Sequence, residues 1–145
     1  MRDLPRQLSV DELAELFEGR TRFVQRLALL EDPLGRAREV ALTLSDDEQK
    51  EILDAHPAIG GQAASARSQR EQGSDDDPAV LTELAQLNAK YEAAFGFRFV
   101  VFVNGRPRRE IVPVLRERMQ RTREEELRTA VDELVQIAIS RWRTS

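Results

Sequence analysis

Residues 97–103 read FRFVVFV, and this run decides the fold class of a 145-residue chain. It is rich in aromatic and β-branched residues, Gly96 precedes it and Asn104-Gly105 closes it, which is the local signature of a strand ending in a tight turn. It is also the only run of its kind. A strand needs a neighbour for its amides and carbonyls, and nothing else in the sequence supplies one. The run therefore reads as an extended, buried apolar segment in an all-α protein. About seven or eight helices are expected, in a single compact domain over residues 1–145. The side chains of Phe95, Phe97 and Phe99 read as core packing. The unpaired backbone of residues 97–101 could instead meet the amide-like edge of a heterocycle.

On the N-terminal side of the run, Asp77-Pro78 is a strong helix start, with Asp as N-cap and Pro in the first position. Val80, Leu81, Leu84, Leu87, Tyr91 and Ala94 carry the apolar face of that helix to Phe95, where Gly96 ends it. Beyond the run, a helix is expected over 111–119, with Pro113 tolerable only near its first turn. Thr122 and Glu125 cap the last helix, and its stripe of Leu127, Ala130, Leu134 and Ile137 ends on Arg141. Nearer the N-terminus, Ser9 with Glu12 and Ser45 with Glu48 make two further capping-box patterns. The first helix is expected to stop at Gly19 and a second to cover 22–30. Pro33 and Gly35 punctuate before a short helix over 36–42, and the helix after Ser45 runs to about Ala55.

Composition narrows the function. Hydrophobic residues make up 41% and charged residues 33% of the chain, as in soluble globular proteins. No apolar run is long enough to span a membrane, and the opening MRDLPRQLSVDE lacks the apolar core of a signal peptide, so a cytoplasmic location is expected. The absence of Cys excludes disulfides, zinc–thiolate sites and Cys nucleophiles, and a single His argues against a His-rich metal site. A net charge of −4 disfavours a nucleic-acid partner. The Arg clusters at 106–109 and 116–123 have acidic neighbours and read as solvated faces.

Chemistry concentrates at residues 56–72, HPAIGGQAASARSQREQ. His56 is the one side chain whose ordinary pKa lies near neutrality. The proline after it ends the preceding helix, and a helix C-terminus favours the protonated ring; the same residue could simply cap that helix. Ser68, Glu71 and Gln72 fall on one face of a short helix rich in small residues, where a carboxylate beside an amide could grip a polar substrate or orient the imidazole. Arg141 continues an apolar stripe and so points inward, towards a protein carboxylate, a substrate carboxylate or the end of its own helix dipole.

These residues resemble the signature of the OHCU decarboxylases, which act on 2-oxo-4-hydroxy-4-carboxy-5-ureidoimidazoline between urate and S-allantoin. The match is carried by His56-Pro57 with Ile59-Gly60-Gly61, by Ser68 with Glu71-Gln72, and by Leu87-Asn88 with Tyr91. It continues through Phe95-Gly96-Phe97, Phe99-Val100, Glu110-Ile111, Arg118, Glu126-Leu127, Ile137-Ala138 and Arg141. The resemblance implies an all-α homodimer that needs no cofactor. It implies that His56 is the catalytic acid/base, with Glu71 setting its protonation state or gripping the ureido group. Pro57, Ser68, Gln72, Arg141 and the backbone of Phe97, Phe99, Val100 and Val101 would bind the substrate. Two other readings remain: a paralogue acting on a related ureido or hydantoin-like acid, and a non-catalytic helical binding module.

Overall fold

The structure, a computed structural model, describes residues 3–59 and 77–144. Among them are seven helices: α1 (Val10–Phe17), α2 (Arg22–Leu27), α3 (Pro33–Leu42), α4 (Asp46–Asp54), α5 (Pro78–Phe95), α6 (Arg108–Arg118) and α7 (Arg123–Thr144). No strand occurs among the described residues, so the all-α expectation holds. The proposed helix over 63–72 lies outside them.

Most of the helices start where a side-chain cap directs them. Ser9 and Glu12 exchange both bonds of a capping box, as do Thr122 and Glu125 ahead of α7. The Ser45 hydroxyl accepts from the Glu48 amide, and the Asp77 carboxylate accepts from the Ala79 amide. Each cap satisfies amides that a first turn leaves without partners.

Helix ends are less faithful to the sequence pattern. Glu18, not Gly19, takes the left-handed conformation after α1 (φ 64°). Helix α2 ends at Leu27, short of Leu30. Helix α3 begins at Pro33, which opens it, and Gly35 lies inside it, where a Cβ would run into the Asp32 carboxylate. Helix α6 begins at Arg108, so Pro113 sits in its interior rather than its first turn, at the expense of one intrahelical hydrogen bond. Gly96 after α5 does need its glycine, at φ 81°.

Helix α7 is the organising element. It packs against α1, α3 and α4, while α5 pairs with α6 and α2 lies against α1 and α3. Its inward face presents Ala130, Val131, Leu134 and Ala138, all fully buried. Trp142 near its end donates to the Asp3 carbonyl and ties down the N-terminal segment.

Residues 97–103 run between α5 and α6 without helix or strand pairing. Phe97 and Phe99 are buried and meet Tyr91 edge-on, at ring-centroid distances of 6.0 and 5.2 Å. Asn104 and Gly105 both have positive φ (50° and 78°), and the Arg106 amide closes the turn on the Val103 carbonyl. The hairpin-type turn therefore forms as read, but it leads into Pro107 and a helix instead of a second strand.

Candidate active site

His56 follows the last turn of α4, where its amide donates to the Leu53 carbonyl. Pro57 blocks any further helix. The His56 carbonyl is held by Arg98 Nη1 at 2.7 Å, and the same nitrogen takes the Asp54 carbonyl at 3.2 Å. The Arg98 amide adds a bond to Asp54 Oδ1 at 3.0 Å. Arg98 thus fastens the His56 turn to the 97–103 segment, a role that sequence reasoning missed because its partners lie 42 and 44 positions away.

The His56 ring is 4% exposed, and its Nε2 is buried with no hydrogen-bond partner among the described residues. It faces a cavity of about 280 Å³ whose lining includes Pro57, Phe99, Val100, Val101, Ser140 and Arg141. That volume is near the lower end for small-molecule sites. Burial is the main influence on the ring and pushes its pKa down to about 4; Arg141 and Arg98 push the same way, and Glu18 opposes them. The imidazole is therefore neutral at pH 7. The pull of the helix terminus towards the protonated ring, which the sequence leaves unweighed, is exceeded by loss of hydration and two nearby cations.

Arg141 is 2% exposed, as the stripe on α7 required. Among its partners are groups at the end of α1: Nη1 donates to the Leu16 carbonyl at 3.1 Å, and Nη2 meets Glu18 Oε1 at 3.0 Å. The left-handed Glu18 turns its carboxylate to this guanidinium. Arg141 therefore has a protein carboxylate and also borders the cavity.

The extended segment supplies a second wall. Residues 98, 100 and 102 bond to side chains from elsewhere: the Arg98 amide to Asp54, the Val100 carbonyl to Arg118 and the Phe102 amide to Glu133. The amides and carbonyls of Phe99 and Val101 make no hydrogen bond among the described residues. Behind this wall, Arg118 and Glu126 form a buried ion pair at 2.8 Å, and the Tyr91 hydroxyl donates to the same Glu126 oxygen at 2.6 Å. Burial first, and then Glu126, keeps the Tyr91 hydroxyl protonated. Reading Arg118 as part of a solvated face was wrong. It lies one helical turn beyond Leu115 on the face that also buries Ile111, the same signal that placed Arg141 inside.

The structure thus brings His56, Pro57, Phe99, Val100, Val101 and Arg141 around one cavity. Phe97 is buried behind it against Tyr91, so its side chain serves the core. Ser68, Glu71 and Gln72 lie outside the described residues. Among the described residues, no cluster of three or more His, Cys, Asp or Glu could hold a metal ion, and no helix is long and apolar enough to cross a membrane.

This arrangement can be set beside known proteins. The chain is 36% identical over 99 residues to the 2-oxo-4-hydroxy-4-carboxy-5-ureidoimidazoline decarboxylase of Mus musculus, covering 62% of this chain and 56% of that protein. It is 32% identical over 108 residues to a uric acid degradation bifunctional protein of a Bacillus species, covering 71% of this chain and 22% of that one. Against the decarboxylase of Halalkalicoccus jeotgali it is 29% identical over 144 residues, 81% of that protein. The chain therefore spans only 22% and 56% of the length of the Bacillus and mouse proteins it matches. A crystal structure of an OHCU decarboxylase in the presence of (S)-allantoin shares the fold, with a TM-score of 0.74 at 24% identity over 90% of this chain and 94% of that one. The pattern of the family described as OHCU decarboxylase extends over residues 2–143. With nearly every residue inside that pattern, the chain belongs to the OHCU decarboxylase family.

Proposed function

We propose that this protein decarboxylates 2-oxo-4-hydroxy-4-carboxy-5-ureidoimidazoline to (S)-allantoin without a cofactor. The observation that carries the reading is a neutral, buried His56 whose Nε2 has no partner among the described residues and which faces a cavity shared with Arg141. Family membership and the curated relatives' names supply the substrate class.

The chemistry suits a site of this kind. When the bond from ring carbon 4 to the carboxylate breaks, its electron pair forms a double bond to carbon 5, and the ring imine takes up the displaced electrons at nitrogen. The substrate is its own electron sink. The resulting enol must then lose its hydroxyl proton and gain one at carbon 5. A neutral imidazole can take the first proton as base and deliver it to carbon 5 as imidazolium, which contributes about 10²–10⁴-fold. Delivery to one face gives one enantiomer. The nitrogen proton comes from solution, so each CO₂ released from a carboxylate takes up one proton.

Arg141 would grip the carboxylate or a ring oxygen, and the peptide groups of Phe99 and Val101 would meet the imidazolone edge. Glu71 would tune His56 or hold the ureido group, with Ser68, Gln72 and Pro57 completing the contacts. The family resemblance further supports a homodimer of one domain over residues 1–145, and the net charge of −4 speaks against a nucleic-acid partner. The deciding experiment generates the substrate in situ from urate and follows circular dichroism with and without the protein. Rapid appearance of optically active allantoin is expected. Decay to racemate at the spontaneous rate would reject the reading and favour a related ureido acid or a binding role.

A further inference from the structure

Among the described residues the extended segment has no sheet to set its register, yet which of its peptide groups face the cavity depends on register alone. In an extended chain the N–H and C=O of one residue point to one edge, and those of the next residue point to the other. The hydrogen bonds of residues 97–102 alternate in this way. Arg98, Val100 and Phe102 are engaged, while Phe97, Phe99 and Val101 make no backbone hydrogen bond among the described residues. Among the described residues the engaged edge has no neighbouring strand. Its partners are charged side chains: Asp54 from the end of α4, Arg118 from α6, Glu133 from α7, and Arg106 from the turn that follows the segment, which donates to the Phe102 carbonyl at 2.7 Å.

Arg118 is the most buried of these pegs, at 4% exposure. Its Nη1 reaches the Val100 carbonyl at 2.7 Å, and its guanidinium lies over the Phe99 ring, 4.5 Å from the centroid. It therefore holds two successive residues of the cavity wall, one by its carbonyl and one by its ring. The Glu126 carboxylate fixes the guanidinium from behind, through Nε at 2.8 Å, and Tyr91 fixes that carboxylate. A slip by one residue would turn the Val100 groups to the cavity and bury those of Phe99 and Val101 against α6.

We propose that Arg118 is a positioning residue for ligand binding: by holding the Val100 carbonyl and covering the Phe99 ring, it sets the register that presents the Phe99 and Val101 peptide groups to the cavity. The ligand class is a planar ureide or imidazolone with an amide edge, and this part rests on the proposed function. Arg118 touches no substrate and takes no proton in the reaction.

The test compares wild type, Arg118→Met, Arg118→Lys and Arg106→Met, the last a milder variant at the more exposed end of the wall. Steady-state kinetics with the in situ substrate and site-resolved amide exchange by NMR are measured on each. In the wild type, the Phe99 and Val101 amides should exchange faster than those of Arg98 and Phe102. Arg118→Met should erase that alternation and raise KM about five- to a hundredfold, the range expected from losing hydrogen bonds at two residues, with kcat within about threefold. Arg118→Lys, which keeps a donor, should recover part of the KM. Should Arg118→Met fail to fold, Arg106→Met should show the same KM rise and loss of alternation on a smaller scale. A purely structural role would lower the melting temperature but leave KM and the exchange pattern of the folded protein unchanged, and that result would overturn the inference. A wild type without turnover would sink the proposed reaction instead, and the exchange pattern would still decide the register.

Discussion

His56 is the only histidine in the chain, so one imidazole signal in an NMR titration reports on the site directly. Burial above all, reinforced by Arg141 and Arg98 and opposed by Glu18, pushes its pKa from 6.5 down to about 4. Asp54 also lies nearby, bonded to Arg98. In the unfolded chain the ring titrates near 6.5. As pH falls below that value, the unfolded chain takes up a proton that the folded chain refuses. The stability contributed by the neutral ring is thus complete above about pH 6.5, drains away towards pH 4, and falls no further below it. At about 1.36 kcal/mol per pH unit, the full window is worth roughly 3 kcal/mol. The ring signal should therefore titrate with a midpoint near 4. Urea unfolding of wild type and His56→Gln between about pH 7.5 and about pH 4.5 should show the wild type losing roughly 2–3 kcal/mol more than the variant. A midpoint at or above 6.5, or parallel losses in the two proteins, would refute the assignment of a neutral buried base.

Three other outcomes follow from the same structure. His56→Ala should lose most decarboxylase activity, by about 10²-fold or more, while circular dichroism shows an unchanged helical content; near wild-type turnover would remove His56 from the mechanism. Arg141→Met removes the buried ion pair to Glu18 and the bond to the Leu16 carbonyl, so thermal unfolding should reveal a loss of about 3–5 kcal/mol, and the His56 midpoint should rise because a cation opposing its protonation is gone. Tyr91→Phe removes the 2.6 Å bond to Glu126 and should cost about 1–3 kcal/mol in urea unfolding, with no stability change counting against a buried network behind the cavity wall.

Much of this molecule was readable from short-range pattern. The caps at Ser9, Ser45, Asp77 and Thr122, the break at His56-Pro57 and the lone apolar run all rest on hydrogen bonds or periodicity within a few residues, and the structure places them accordingly. Arg141 was legible for the same reason, as a charge on an apolar stripe, and Arg118 could have been found in the same way. Other features depend on residues remote in sequence. The carboxylate that meets Arg141 is Glu18, from the opposite end of the chain. Arg98 reaches back to the His56 carbonyl across 42 positions. The protonation of His56 is a balance of lost hydration, two cations and one anion that converge only after folding. Local hydrogen bonding is encoded where it occurs, whereas burial and electrostatic potential sum over everything nearby in space, so the side-chain-capped helix starts could be read from the chain, while the uncapped starts of α3 and α6, the charge state of the base and the register of the cavity wall could not.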